Sequence, residues 1–544
     1  MRTACNSGTF YRGVSHTHPT ALNAALRRWR APGLLLAALL VGGCFQSLAR
    51  AQEPQKQEEK KPFIEPAEMA HEKAAVRAFI EASPHLNGKW ETLPFMMPIN
   101  PVHVALMHSG KVLVISGSGN EPSNKILEAG VWNPGADTVR TFRIDWDMFC
   151  NGMVILPDGR PFVLGGTLQY DPFFGEPKTA AFDVATEKFV SMPHMSGGRW
   201  YPTGTVLGDG SVLVEAGLTN TSSVMNKTVQ IFKAGSWTAA GTIFNGVPLY
   251  PRQHVLPDGK VFEDGANPDS QMFDPVAHTW TFVANTIFGQ SRDYGTSVLL
   301  PLTPANGHKP KVMIMGGGSP NATNTTELID LSVPHPKWVS GPNMSNARIQ
   351  VNATILPNGK VLVSGGSAVD EDVTTASLPA QLYDPATDKF SSASTMEFPR
   401  VYHSNTLLLP DATVLAVGGN PARGTYEPHI EIYSPPYLFT ATGAAAPRPS
   451  ITNAPPTIRY GAVFQVQTPE AAKIKSIALM RAGSVTHSFD MDQRMVGLTF
   501  TTAAGVLHVT APSKGDIAPP GYYMLFILNS EGVPSVARFV HVGL

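Results

Sequence analysis

One glycine-rich motif returns at a nearly constant interval along this chain. Its copies read "GKVLVISGSG" (110–119), "GRPFVLGG" (159–166), "GSVLVEAG" (210–217), "GKVFEDGA" (259–266), "PKVMIMGGG" (310–318), "GKVLVSGG" (359–366) and "ATVLAVGG" (412–419). The steps between their first residues are 49, 51, 49, 51, 49 and 53. A second piece follows each copy: "AGVWNP" (129–134), "AAFDV" (180–184), "VQIFK" (229–233), "SQMFDP" (270–275), "TELIDL" (326–331), "AQLYDP" (380–385) and "IEIYSP" (430–435). A third follows several of them, as in "KFVSMPHMSGGR" (188–199), "KWVSGPNMSNAR" (337–348) and "KFSSASTMEFPR" (389–400). A period of this length marks an array of one supersecondary unit. Such a unit cannot bury both of its faces alone, so its neighbours must cover them.

The recurring pieces are β-branched and aromatic runs bounded by Gly, Pro, Asp and Asn, which read as short strands and tight turns. Four strands per unit at this spacing are what a kelch propeller blade requires. The chain is therefore expected to be all-β, with a seven-bladed kelch β-propeller over residues 86–437. The segment "GKWETLPFMM" (88–97) resembles the third piece yet precedes the first copy. It is expected to supply the outer strand of the last blade and close the ring. After Pro435 the repeat stops. "IKSIALMRAG" (474–483), "GVLHVTAP" (505–512) and "GYYMLFILNSEGVPSVARFVHV" (521–542) are short strands between turns, and residues 438–544 are expected to form an immunoglobulin-like β-sandwich. A formal charge of −1 argues against nucleic acid or an anionic membrane surface as a partner.

At the N-terminus, Arg27, Arg28 and Arg30 precede "APGLLLAALLVGGC" (31–44), an apolar run too short to be a good membrane span. Two readings stand. "LVGGC" resembles a bacterial lipoprotein signal with Cys44 lipidated, and "LARA" (48–51) offers ordinary cleavage. In both, residues 1–51 are an export segment and the mature protein is periplasmic, held at the outer surface or secreted. Residues 52–85 are expected to be a charged tether, "QEPQKQEEKKP" (52–62), and a short helix within 65–83. Of the three cysteines, Cys5 and Cys44 fall in the export segment, so Cys150 has no disulfide partner. Its simplest role is that of a small buried apolar residue.

The "Asp/Asn–Gly" turns supply a register. Eight residues before Asp158, Asp209, Asp258, Asn358 and Asp411 stand Cys150, Tyr201, Tyr250, Gln350 and His403. As equivalent positions on successive blades they should ring one mouth of the central channel, either as a functional cluster or as tunnel filling. Tyr402 directly precedes His403. Neighbours in a regular strand point to opposite faces, so both reach one site only if the strand has not begun or has bulged. Arg252 near Tyr250 is either a donor to a substrate oxygen or carboxylate, or a solvated rim charge. His254 is expected to pack or face solvent. By spacing alone, His487 is a histidine in the polar loop "SVTHSFDMDQR" (484–494).

Four stretches carry a resemblance. "FCNG" (149–152), "RWYPTG" (199–204), "RVYHSNTLLLPD" (400–411) and "HSFDMDQR" (487–494) resemble, in order, the signatures of the copper-radical oxidases, the galactose oxidase and glyoxal oxidase family. The resemblance covers about residues 86–544. It implies one copper held by Tyr201, Tyr402, His403 and His487, and a thioether joining Cys150 to Tyr201, whose ring carries the radical. It also implies that Tyr402 acts as base, and Tyr250 and Arg252, by their place at the same mouth, are the candidates to bind substrate. Two imidazoles and two phenols suit Cu(II) in a tetragonal arrangement with one position open.

The implied reaction is a two-electron oxidation of small aldehydes, as hydrates, to carboxylic acids, with dioxygen reduced to hydrogen peroxide. The alternative is a primary alcohol or galactose oxidase. One departure bears on this choice. "VEAGLTNTSS" (214–223) has no tryptophan where galactose oxidase carries the one that stacks on its cross-linked tyrosine, whereas Trp200 adjoins Tyr201 in a "RWY" context more like glyoxal oxidase. Two rivals remain: a non-catalytic kelch module binding carbohydrate or protein, and a copper protein without radical function. A binding module has no need of a cysteine, two tyrosines and two histidines at these places. The protein is expected to be a monomer whose partners are a small molecule and dioxygen.

Overall fold

The computed structural model describes residues 83–243, 246–318 and 321–543. The export segment, the tether and the helix expected within 65–83 lie outside these residues, apart from a helical turn at Pro84–Asn87. Seven antiparallel sheets follow one another, each a meander that starts from a strand on the axis. The axial strands of blades one to seven are His103–Leu106, Gly152–Ile155, Trp200–Val206, Arg252–Val255, Thr296–Leu299, Asn352–Ile355 and Asn405–Leu408. Every residue of these strands is buried, whereas an outer strand such as Thr138–Arg143 has only exposed and half-buried positions. The apolar runs of the sequence are second strands such as Val361–Ser364 and Val414–Val417, the buried axial strands also carry polar residues such as Gln253 and Asn405, and mixed polar runs stand at the rim. Strand Lys89–Met96 pairs antiparallel with His429–Ser434 in blade seven, so the segment before the first repeat closes the ring.

The recurrent arginine of the third piece has a physical purpose. Arg199, Arg292, Arg348 and Arg400 are almost completely buried. Each donates to a carbonyl in the turn that ends the second strand of its own blade: Ala216, Gly316, Gly365 and Gly418. Glycine is needed in these turns for close approach as well as for backbone angle. A Cβ on Gly165 would stand 2.2 Å from the Arg199 carbonyl, and its φ is 76°.

Two carboxyls meet between blades three and four. Gln253 Nε2 bridges Glu215 and Glu263, donating to Glu215 Oε1 at 2.6 Å and to Glu263 Oε2 at 3.1 Å. Burial raises the pKa of both, and the Glu263 charge raises Glu215 further. The folded state therefore holds a proton that the unfolded chain releases near pH ~4.3. The stability it contributes is full below that pH and is lost as pH climbs through the raised value. Glu215→Gln is expected to raise the Tm at pH 8.5 by about 2 °C or more and to change it little at pH 4, read from thermal unfolding at the two pH values.

After blade seven the chain builds a β-sandwich. One sheet holds Thr457–Arg459, Arg538–Gly543, Gly521–Asn529, Ile474–Arg481 and Met495–Leu498, and the other holds Val463–Gln467, Val506–Thr510 and Phe500–Ala503. Ile458, Val466, Leu479, Leu507, Leu525 and Val540 fill the space between them. Between Ile474–Arg481 and Met495–Leu498 a hairpin leaves the sandwich. Its strands Ser484–Thr486 and Phe489–Asp490 add to the axial edge of blade one, with Thr486 opposite His103. Pairing satisfies an edge that a propeller would otherwise leave open on its channel.

The hairpin is pinned to blade after blade. Asp492 accepts Arg481 Nε at 2.9 Å and the Ile155 amide at 2.7 Å, and Arg481 Nη2 donates to the Ile155 carbonyl. Gln493 exchanges hydrogen bonds with Ile355 and Ala353, and Thr296 donates to the Ser488 carbonyl.

Candidate metal centre

The predicted ring forms, and its backbone explains how. Cys150, Tyr201, Tyr250, Gln350 and His403 have φ of 59°, 66°, 48°, 60° and 62°, all in the left-handed region that non-glycine residues rarely adopt. They are linked blade to blade: the Tyr201 amide donates to the Cys150 carbonyl at 3.0 Å, and the Tyr250 amide to the Tyr201 carbonyl at 3.1 Å. Sequence reasoning missed one member, Tyr294 in blade five, with φ 51° and a carbonyl that accepts the Gln350 amide. Strain of this kind costs about 1–3 kcal/mol per residue and gathers at functional sites. The left-handed turn also answers how Tyr402 and His403 serve one place. Both lie in the turn before the strand, which starts at Asn405.

Five of the predicted residues converge. The Nε2 atoms of His403 and His487 stand 4.0 and 3.8 Å from Cys150 Sγ. His487 Nε2 lies 2.9 Å from Tyr201 Oη, and the hydroxyls of Tyr201 and Tyr402 are hydrogen-bonded to each other. Cys150, His403 and His487 together meet the geometry of a metal-binding group. Cys150, Tyr201, His403 and His487 are buried, whereas Tyr402 is half-buried and marks the open side.

Each imidazole is held in the tautomer a metal requires. His403 Nδ1 faces Asn420 Oδ1 at 2.6 Å, and the same oxygen accepts Asn100 Nδ2 at 3.1 Å. An amide oxygen only accepts, so Nδ1 carries the proton and Nε2 keeps a lone pair toward the cluster. His487 Nδ1 faces Thr486 Oγ1 at 2.7 Å. That hydroxyl gives its own proton to the Val102 carbonyl, so it accepts from Nδ1. Burial lowers the pKa of both rings, that of His403 to about 3, which keeps them neutral. Burial also raises the pKa of the Cys150 thiol and of the Tyr201 and Tyr402 hydroxyls. The phenolates thus form only opposite a cation, and the donor set fits Cu(II). Asn420, Asn100 and Thr486 were not singled out from sequence. Asn420 could have been found by its place just after the Gly-Gly of the blade that carries His403. Asn420→Ala is expected to weaken copper binding about 10–100-fold, measured by competition with a chelator.

Two predicted residues stand differently from expectation. Arg252 is not a solvated rim charge. It is buried, 3.5 Å from Asp264, and donates to the Arg292 carbonyl, while its Nη1 has no partner among the described residues. Tyr250 gives its hydroxyl proton to the Asn151 carbonyl at 2.6 Å and lays its ring 4.4 Å from that of Tyr201. His254 packs as expected, with Nε2 2.6 Å from Ser297 Oγ. Trp200, despite being the sequence neighbour of Tyr201, stacks on its ring at 3.7 Å and 16°.

The family description "Glyoxal oxidase N-terminus" matches residues 123–437, more than half of the chain, and "Galactose oxidase-like, Early set domain" matches residues 448–542. The chain belongs to the glyoxal oxidase and galactose oxidase family. Among curated relatives of this copper-radical oxidase are "Aldehyde oxidase GLOX" of Vitis pseudoreticulata, 30% identical over 86% of this chain and 99% of the relative, and "Galactose oxidase" of Gibberella zeae, 28% identical over 82% and 69%. A solved fungal alcohol oxidase in complex with copper superposes with a TM-score of 0.75 at 27% identity, over 84% of this chain and all of the other. The all-β propeller and sandwich are those of the family, and the protein is a copper-dependent oxidase acting with dioxygen on a small molecule.

Proposed function

We propose that this oxidase converts small aldehydes, as their hydrates, to carboxylic acids and reduces dioxygen to hydrogen peroxide. The observation that carries the reading is the meeting of Cys150, Tyr201, Tyr402, His403 and His487 within bonding distances of one point. His403 and His487 hold copper through Nε2, and Tyr201 and Tyr402 through oxygen. Cys150 joins Tyr201 by a thioether, which enriches the ring in electrons and eases its oxidation. Bound copper supplies one oxidising equivalent and the Tyr201 radical the other. Tyr402, on the open side, takes the substrate hydroxyl proton as general base. Tyr201 then takes a hydrogen atom from the carbon. Trp200 and Tyr250 keep water from the radical ring, and Arg252 Nη1, buried without a partner among the described residues, suits a donor to a substrate oxygen.

Trp200 on Tyr201 and the aldehyde oxidase relative favour aldehydes, while the copper alcohol oxidase structure supports primary alcohols as the second reading. The domains run as export segment 1–51, tether 52–85, propeller 86–437 and sandwich 438–544. The mature protein acts outside the cytoplasm as a monomer, either released or held by lipid at Cys44. Peptide mass analysis of copper-loaded protein tests the centre: a crossed Cys150–Tyr201 peptide, lighter by two hydrogens and copper-dependent, is expected. Both residues unmodified after copper and oxygen would sink the reading. A peroxide assay over glyoxal, methylglyoxal, glycolaldehyde, galactose and glycerol tests the substrate class, and activity on galactose alone overturns the aldehyde preference.

A further inference from the structure

The stack on Tyr201 does not end at Trp200. The Phe173 ring lies 4.1 Å from Trp200 at 17°, and the Tyr170 ring 5.2 Å from Phe173. Tyr201 and Trp200 are buried, whereas Phe173 and Tyr170 are half-buried on the hairpin tip between Thr167–Gln169 and Phe174–Gly175. Four rings therefore run in contact from the metal centre to solvent. The guanidinium of Arg423 stands over the outer two, 5.6 Å from Phe173 and 6.0 Å from Tyr170, and pairs with Asp171 at the same tip. Of the other groups on Tyr201, Tyr250 and His487 are buried, and half-buried Tyr402 meets its hydroxyl on the side open to substrate.

We propose that Tyr201–Trp200–Phe173–Tyr170 is the route by which one electron leaves the Tyr201 ring for an outside oxidant. The inference rests on the radical reading of the centre. A cycle that needs a tyrosyl radical needs a way to make it, and a buried ring cannot touch an oxidant. Electron exchange falls steeply with the gap it must cross, and rings at van der Waals spacing keep each gap small. Trp200 and Tyr170 are oxidisable side chains, and Phe173 bridges them. In the step, Tyr201, already a phenolate in the copper-loaded protein, loses one electron to become the neutral radical, and a one-electron oxidant such as hexacyanoferrate(III) is reduced to hexacyanoferrate(II) near Tyr170, with no proton released.

The test uses copper-loaded, cross-linked full-length protein and follows the radical's visible and EPR signals after mixing with hexacyanoferrate(III). Phe173→Leu, similar in bulk but without a ring, is expected to slow radical formation about tenfold, with copper content and the crossed peptide unchanged. Phe173→Trp is expected to keep the native rate. Unchanged speed in Phe173→Leu, or equal slowing in both variants, overturns the route. Absence of a radical in the native protein overturns the reading of the centre as well.

Discussion

Tyr402→Phe is expected to lower kcat about 10²–10⁴-fold, the range attached to a positioned general base, while copper remains bound. The phenylalanine ring keeps the packing of Tyr402 on His403, whose centroids are 3.7 Å apart, and removes only the oxygen that bonds to Tyr201. His403 and His487 keep their lone pairs because Asn420 and Thr486 set their tautomers independently of Tyr402. Two measurements separate base from ligand. Copper content is expected to stay near one per chain, and a primary kinetic isotope effect on the substrate C–H bond is expected to persist. Retention of most of the native kcat in this variant would deny Tyr402 its role.

Asp492→Ala is expected to destabilise the protein by about 3–5 kcal/mol, because it strands the buried Arg481 without its counter-charge. The side chains of this pair are 1% and 3% exposed, and Asp492 also carries the Ile155 amide. The loss falls on the contact between the hairpin and blade two, five residues from His487. Copper affinity is therefore expected to drop along with resistance to denaturant. Asp492→Asn keeps the shape and part of the hydrogen bonding, and should lie between the two. Chemical unfolding with and without copper checks both effects. A stability within 1 kcal/mol of native for the alanine variant would contradict the pinning described above.

The propeller was legible because its turns leave little freedom. Positive φ and backbone crowding demand glycine where the second strand ends, and the repeat of those glycines reveals the blades. The ring of left-handed residues was legible for the same reason, since an "Asp–Gly" or "Asn–Gly" turn fixes a count back along the strand. Tyr294 escaped because the segment between Leu299 and Lys311 turns through Pro304–Asn306 and lacks that landmark. Of the two readings open for Arg252, its burial removes the solvated rim charge, which no local pattern in "LYPRQHVLPDG" could decide. His487 was legible only through family resemblance. Its position depends on pairing Ser484–Thr486 with a strand almost the whole chain away, and no local pattern encodes that partner. The tautomer-setting groups Asn420 and Thr486 look like ordinary loop residues until their acceptors are seen.

The hairpin also sets an order of events in biogenesis. A ribosome must release the propeller and the hairpin before His487 can reach the axis, and the ring itself stays open until Lys89–Met96 finds His429–Ser434. A nascent or truncated chain that stops short of residue 484 therefore carries every other donor and still offers no finished redox cradle. Oxidising power is thereby withheld until synthesis has passed the hairpin.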